Sequence, residues 1–364
     1  MTIISPEQRW IDRMSGRDRT AGAAALRAAA RCAEPLYALA IRARNWMFDQ
    51  RIRASHRADM PVVSVGNITT GGTGKTPVVC WLAERLRAGG ARPAVLARGY
   101  KSQQGQLGDE QRLIEARLNR GDVVPVVVRA NPDRVVGAAD IARAHRDVGV
   151  LILDDGFQHR RLRRDFDLVL IDATNPFGFD HLLPRGLLRE QLTGLSRADA
   201  ILVTRASEIE VPELNAVERR IRMFNAFAPI YRCDHVITAF MNPDETSQTT
   251  DSLRDRRAFV FCGIANPRSF SGQLRDLGIV EIGCEYFGDH HAYTDADIAR
   301  VRREAGDDML ITTEKDWVKI VGLAAASGQP PIVRASVALK FRGDDEQQLF
   351  EQIRERAEAV RAKE

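Results

Sequence analysis

The chain lacks the cysteine spacing that a zinc ribbon or a thiol redox centre requires. Its five cysteines, Cys32, Cys80, Cys233, Cys262 and Cys284, are widely separated and form no C-x-x-C pair. A disulfide framework is equally unsupported, so the thiols read as small buried apolar groups in a reducing compartment. No unbroken apolar core followed by a small-residue cleavage site opens the sequence, and no secretory leader is expected. Residues 21–41 are rich in alanine, but Arg27, Arg31 and Glu34 interrupt them, which argues against a spanning helix. Strong charge of one sign is also missing. A net charge of +4 does not demand a nucleic-acid partner.

What is present is an ordinary globular composition, 44% apolar and 28% charged, over 364 residues, a length that suggests two domains. Short apolar runs bounded by polar or glycine residues read as buried strands: 61–66, 92–98, 123–128, 148–155, 166–172 and 199–205. Helical segments at 76–90 and 133–146 alternate with them, so a parallel sheet covered on both faces is expected. Such sheets bind ligands beyond the carboxyl ends of their strands. The expected organisation is an N-terminal domain over 1–228, a β-stranded linker over 229–255 and a smaller α/β domain over 256–364.

The segment 66–79, GNITTGGTGKTPVV, ends in Gly74-Lys75-Thr76 and sits between a strand and a helix, the setting of a phosphate-binding loop. The general pattern has glycine where this chain has Thr69. Gly71, Gly72 and Gly74 nevertheless allow backbone N–H groups to turn toward phosphate oxygens, at the positive end of the following helix. Lys75 would reach the β- and γ-phosphates and the Thr76 hydroxyl a Mg²⁺ ion. A strand ending in Asp154 and Asp155 would supply the metal carboxylate. These features indicate a nucleoside triphosphate site in a P-loop NTPase-like α/β fold.

Two classes lack a residue they depend on. A GTPase needs Asn/Thr-Lys-x-Asp, whereas Lys315 and Asp316 are adjacent; the dimerising partitioning ATPases need lysine where Thr70 stands. A kinase needs a base and cations for the moving charge. Segment 97–110 offers Arg98, Asp109 and Glu110, and segment 287–297 offers Asp289, His290 and His291. Arginine is concentrated in 41–57 and 159–165, either as solvated faces or as phosphate contacts. From Pro35 onward Leu36, Leu39, Ala40, Ala43 and Met47 share a helical stripe widened by Tyr37, Ile41 and Phe48, with Arg42, Asn45 and Asp49 opposite. That stripe suits either the protein's own core or a membrane interface.

The motifs VGNITTGGTGKTP, ARGY…LGDE, LILDDGFQH, LLPRGLLRE, FCGIANPRSF, FGDHHAYT and LITTEKDWVK occur in that order, and together they resemble the tetraacyldisaccharide 4′-kinase family of Gram-negative bacteria. The resemblance covers about residues 35–320, and Thr69 agrees with that family's own loop. It implies ATP- and Mg²⁺-dependent phosphorylation of the 4′-hydroxyl of an acylated glucosamine disaccharide 1-phosphate, giving lipid IV-A. It further implies a peripheral enzyme at the cytoplasmic face of the inner membrane, with an interfacial helix near 35–50 and no obligate protein partner. By resemblance, Thr69, Thr70, Gly71, Gly72, Thr73, Gly74, Lys75 and Thr76 hold the nucleotide, and Thr76, Asp154 and Asp155 the metal, with Asp155 the preferred partner. Asp109 corresponds to the catalytic base, assisted by His290 or His291. Arg98, Glu110, Arg134, His159, Arg189, Glu190 and Asn266 match motif positions that order the cleft. Arg185 reads as local to this protein.

Overall fold

The computed structural model describes residues 18–99, 107–121, 123–264, 266–289 and 291–362, with Trp10, Arg13, Met14 and Gly16 ahead of them. It divides into two units, one of Asp18–His235 with Leu339–Glu364 and one containing Val236–Ala338. The first unit holds strands β1 (Val62–Asn67), β2 (Pro93–Ala97), β3 (Val127–Ala130), β4 (Val150–Asp154), β5 (Phe166–Asp172) and β6 (Ala200–Thr204), plus the start of β7 (Ile230–Met241). Their order is β7-β6-β5-β1-β4-β2-β3, and every neighbouring pair is parallel. Strands β1, β2, β4 and β6 are buried at every position, as their largely apolar composition favours, and Ser64, Asn67, Asp154 and Thr204 are their buried polar residues.

Helices α1 (Ala21–Asp49), α2 (Lys75–Ala88), α3 (Asp109–Leu118), α4 (Arg134–Ala144) and α5 (Val211–Phe224) belong to the same unit. Val78, Val79, Leu82 and Leu86 of α2 enter one core with Val63, Val65 and Ile152 of the sheet. α1 begins at Thr20, whose Oγ1 accepts from the Ala23 N–H, and it runs through Pro35 without a break. It is longer than the 35–50 segment read from the sequence. Asn45, placed on its solvent side by the pattern, instead donates to the Glu190 carboxylate at 3.3 Å. The inward side of α1 is thus partly polar, and Leu36, Leu39 and Trp46 point out, 72%, 65% and 56% exposed. No described helix is long and apolar enough to cross a membrane.

The second unit carries β8 (Ser247–Thr249), β9 (Arg257–Cys262), β10 (Val280–Tyr286), β11 (Met309–Thr313) and most of β12 (Ile332–Phe341). The order β10-β9-β11-β12 is parallel, and β8 pairs antiparallel with the end of β7. Helices α6 (Pro267–Asp276), α7 (Asp295–Ala305) and α8 (Glu314–Ile320) connect these strands.

The chain passes between units inside β7 and again inside β12, which corrects the expected boundaries. The predicted 229–255 linker is split by the first crossing. The last helix, α9 (Asp345–Arg361), returns to the first unit rather than ending the second. Its apolar face explains the return: Leu349, Phe350, Ile353 and Ala357 join the core of α2, and Glu346 accepts from the Trp81 indole at 3.0 Å.

Candidate nucleotide site

The loop after β1 is fixed by contacts that leave little freedom in its path. The Thr70 N–H donates to the Leu187 carbonyl at 2.7 Å, and Thr73 Oγ1 accepts from Asn67 Nδ2 at 2.9 Å. The Thr73 carbonyl accepts from Thr204 Oγ1 at 3.2 Å, and the Gly72 carbonyl from Arg205 Nη2 at 2.9 Å. Arg205 is itself anchored by an ion pair with Asp172 at the end of β5. Carbonyls 72 and 73 are therefore turned toward the carboxyl end of β6. Gly74 has φ +83°, and a side-chain carbon there would fall 2.1 Å from His235 Nε2. Both conditions admit only glycine.

Lys75 is the first residue of α2, and Thr76 follows it in the same turn. Lys75 Nζ lies 3.5 Å from Asp155 Oδ1. Asp155, in the left-handed region at φ 54°, also takes two contacts from Arg189 Nη1, at 2.8 and 2.7 Å. Burial alone would raise the Asp155 carboxyl, but Lys75 and Arg189 outweigh it and hold the group below the usual carboxylate range.

Asp154, one residue earlier, behaves oppositely. It ends β4 fully desolvated, and that burial, with Glu110 and Asp155 nearby, pushes its carboxyl up to about 7. Its Oδ1 is buried without a hydrogen-bond partner. A buried carboxylate oxygen with no donor is an unfinished contact, and a divalent cation beside the loop would complete it. The Thr76 hydroxyl is the second oxygen ligand a Mg²⁺ ion would take here. Among the described residues no three His, Cys, Asp or Glu side chains form a metal cage. That is compatible with Mg²⁺, which uses one or two carboxylates and takes its other oxygens from phosphate and water. Asp155, the metal partner preferred from the sequence, is held by Arg189 and Lys75, while the oxygen without a donor belongs to Asp154.

Arg134 is buried at the start of α4 and donates to the carbonyls of Asn131, at 2.8 Å, and Asp154, at 3.2 Å. Burial lowers its guanidinium to about 10 against the pull of Asp154 and Asp155. Arg98 lies near enough to Arg134 to act on it electrostatically. His159 is pushed down to about 4 by burial and then by Arg134, which keeps its ring neutral. Asp109 and Glu110 form the first turn of α3, and Glu110 is close enough to act on Asp154. Glu190 is wholly buried, accepting from Arg197 at 2.7 Å and Gln158 at 2.9 Å.

The first unit thus gathers Lys75, Asp154, Asp155, Glu110, Arg134 and Arg189 around the loop. Two other candidates lie in the second unit. Asn266 caps α6, its Oδ1 accepting from the Ser269 N–H at 3.3 Å. His291 stacks on Phe287 with ring centroids 4.7 Å apart, and its Nε2 lies 3.1 Å from Asp297 Oδ2. His290 lies outside the described residues. Arg185 pairs with Glu34 of α1 at 3.1 Å, a local role. Sequence reading missed Asn67, Gln158, Thr204, Arg205 and His235. The first four stand at strand ends or in the quoted motifs, a signal that could have found them.

A model of the Tetraacyldisaccharide-1-P 4′-kinase family matches residues 26–358. A tetraacyldisaccharide 4′-kinase from Anaeromyxobacter sp. is 35% identical over 348 residues, covering 91% of this chain and 92% of that protein. The protein of the same name from Geobacter metallireducens is 38% identical over 299 residues, covering 78% and 86%. Among solved structures, LpxK from Aquifex aeolicus, crystallised in complex with ATP, superposes with a TM-score of 0.72 at 28% identity. That match covers 90% of this chain and 99% of that one.

Proposed function

The chain belongs to the tetraacyldisaccharide-1-P 4′-kinase family, and on that premise we propose that the loop of the first unit binds ATP while Asp154 and Thr76 hold Mg²⁺ beside it. The chain is a tetraacyldisaccharide 4′-kinase of lipid A biosynthesis. The observation that carries the site assignment is the Lys75–Asp155–Arg189 ion cluster next to the open oxygen of Asp154.

Lys75 neutralises oxygens of the β- and γ-phosphates, and Arg189 fixes Asp155 so that this carboxylate holds Lys75 in place. When bound, Mg²⁺ supplies further neutralisation of phosphate charge. Asp109 accepts the proton of the attacking 4′-hydroxyl. The new O4′–P bond forms, the bond from the γ-phosphorus to the β–γ bridging oxygen breaks, and ADP leaves. Phosphoryl transfer through a loose transition state needs proton removal late, so the position of Asp109 counts for more than its basicity. Of the two histidines tied to turnover by resemblance, His291 is engaged by Asp297 and Phe287 within its own unit. His290 is therefore the residue to test.

The substrate's acyl chains require that the enzyme meet a lipid surface. Leu36, Leu39 and Trp46 form an outward apolar edge on α1, with Arg42 on the same helix and Arg160, which donates to the Asn45 carbonyl at 3.1 Å, beside it for anionic headgroups or the 1-phosphate. This edge supports a peripheral location at the cytoplasmic face of the inner membrane.

The test is single-turnover phosphoryl transfer under conditions where chemistry is rate-limiting. Asp109→Asn should lower the transfer rate at least ~100-fold, in the range of a lost general base, while ATP affinity stays near that of the unaltered enzyme. Transfer at the original rate would remove Asp109 from the mechanism.

A further inference from the structure

The amphipathic helix α1 and the phosphate loop are the two ends of one continuous polar chain inside the first unit. Asn45 Nδ2 on α1 donates to Glu190 Oε2 at 3.3 Å. Gln158 Nε2 donates to Glu190 Oε1 at 2.9 Å and uses its second hydrogen on the Asn67 carbonyl at 2.8 Å. The Asn67 amide then donates to Thr73 Oγ1 of the loop at 2.9 Å. Glu190 and Asn67 are both completely buried. A second path runs beside the first. Tyr37 Oη of α1 donates to the Arg189 carbonyl at 2.8 Å, Arg189 clamps Asp155, and Asp155 lies 3.5 Å from Lys75.

Two features make this more than proximity. Each link is a directional hydrogen bond or ion pair between groups largely removed from water, where an unmade contact is costly, so the arrangement tends to be kept or lost as a whole. Both paths also end on loop residues that the reaction uses, Thr73 and Lys75. We propose that Asn67 and Glu190 are positioning residues that couple the seating of α1 to the geometry of the phosphate loop. ATP affinity then depends on a helix residue that is four hydrogen bonds from Thr73. The chemical consequence is that whatever reseats α1, a lipid surface above all, adjusts the nucleotide site. The inference rests on the reading of the loop as an ATP site.

The test measures affinity for ATP with Mg²⁺ in the full chain without lipid, together with KM and kcat. Asn45→Ala should weaken ATP binding ~5-fold, the lower range of measured coupling between sites. The thermal midpoint should hold, because Arg197 still pairs with Glu190. KM for ATP should rise by the same factor and kcat at saturating ATP should change less than ~2-fold, a split that a general loss of structure would not produce. Asn67→Ala should weaken binding further, and adding Asn45→Ala to it should change nothing more, since the path is already cut. If Asn67→Ala does not fold, Glu190→Gln with Asn45→Ala supplies the same cycle. Arg31→Ala, an exposed change on the same helix, should leave affinity untouched. Unchanged affinity in Asn45→Ala, or effects of Asn45→Ala and Asn67→Ala that simply multiply, would overturn the coupling. A Lys75→Ala control separates the premises: loss of ATP binding there keeps the loop reading intact whatever Asn45→Ala shows. Retention there would sink the loop reading and the coupling with it.

Discussion

Asp154 and Asp155 are chemically identical neighbours with opposite environments, and that difference organises the site. Asp155 faces two cations and stays ionised; Asp154 is buried beside other carboxylates and is pushed up to about 7. The pH consequence follows from linkage. Near pH 4 and below, Asp154 is protonated in the folded chain and largely so in the unfolded chain, so its burial carries little electrostatic penalty. As pH rises toward 7 the unfolded chain releases the proton first, and stability falls. Above the folded value the full cost of a buried charge is present in the metal-free protein. Asp154→Asn removes that cost. We predict that the metal-free variant melts several degrees above the unaltered protein near pH 8 and no higher near pH 4. The same variant should lose the Mg²⁺-dependent part of its ATP affinity. An equal difference in melting at both pH values would show that Asp154 does not titrate as described.

At the scale of single elements, α1 carries the heaviest functional demand. Tyr37, Asn45 and Phe48 hold it to the first unit, while Leu36, Leu39 and Trp46 stay outside. Replacing the last three by serine should leave the fold intact, since their side chains are exposed. Association with anionic lipid vesicles should drop by at least ~10-fold, given the apolar area such side chains bury in an interface. Vesicle co-sedimentation checks this; undiminished association would mean that another surface meets the lipid.

Element by element, the reading from sequence succeeded where one physical signal dominated. The apolar runs of β1, β4, β5 and β6 allow hardly anything but buried strands, and the glycines before Lys75 dictate a loop at the start of α2. It failed where the outcome depends on a distant partner. Asn45 looked solvent-facing because helical periodicity cannot reveal that a buried Glu190, 145 residues away, awaits a donor. The pairing of Arg189 with Asp155 was likewise invisible, because only the fold brings the two together.

At the scale of the whole molecule, two α/β units share one chain that crosses between them twice, in β7 and β12. The domain division read from sequence missed the second crossing because α9 has an ordinary amphipathic pattern. Its packing with α2 is a matter of complementary surfaces rather than of local signal. The phosphate loop, its lysine and the two strand-end aspartates were legible, because their spacing is set by local geometry. Of the braces behind the loop, Thr204 and Arg205 stand at a strand end that signals a site without showing their contact to the loop, and His235 carries no local signal at all. The catalytic account therefore rests on the first unit as a phosphate-binding body that delivers a phosphoryl group to a lipid alcohol. The most direct measurement is transfer of γ-labelled phosphate from ATP and Mg²⁺ to a tetraacylated disaccharide 1-phosphate in detergent, with the labelled position determined and Lys75→Ala run alongside. The account predicts label on the 4′-oxygen and none transferred by the variant. Label at another position, or undiminished transfer by Lys75→Ala, would contradict it.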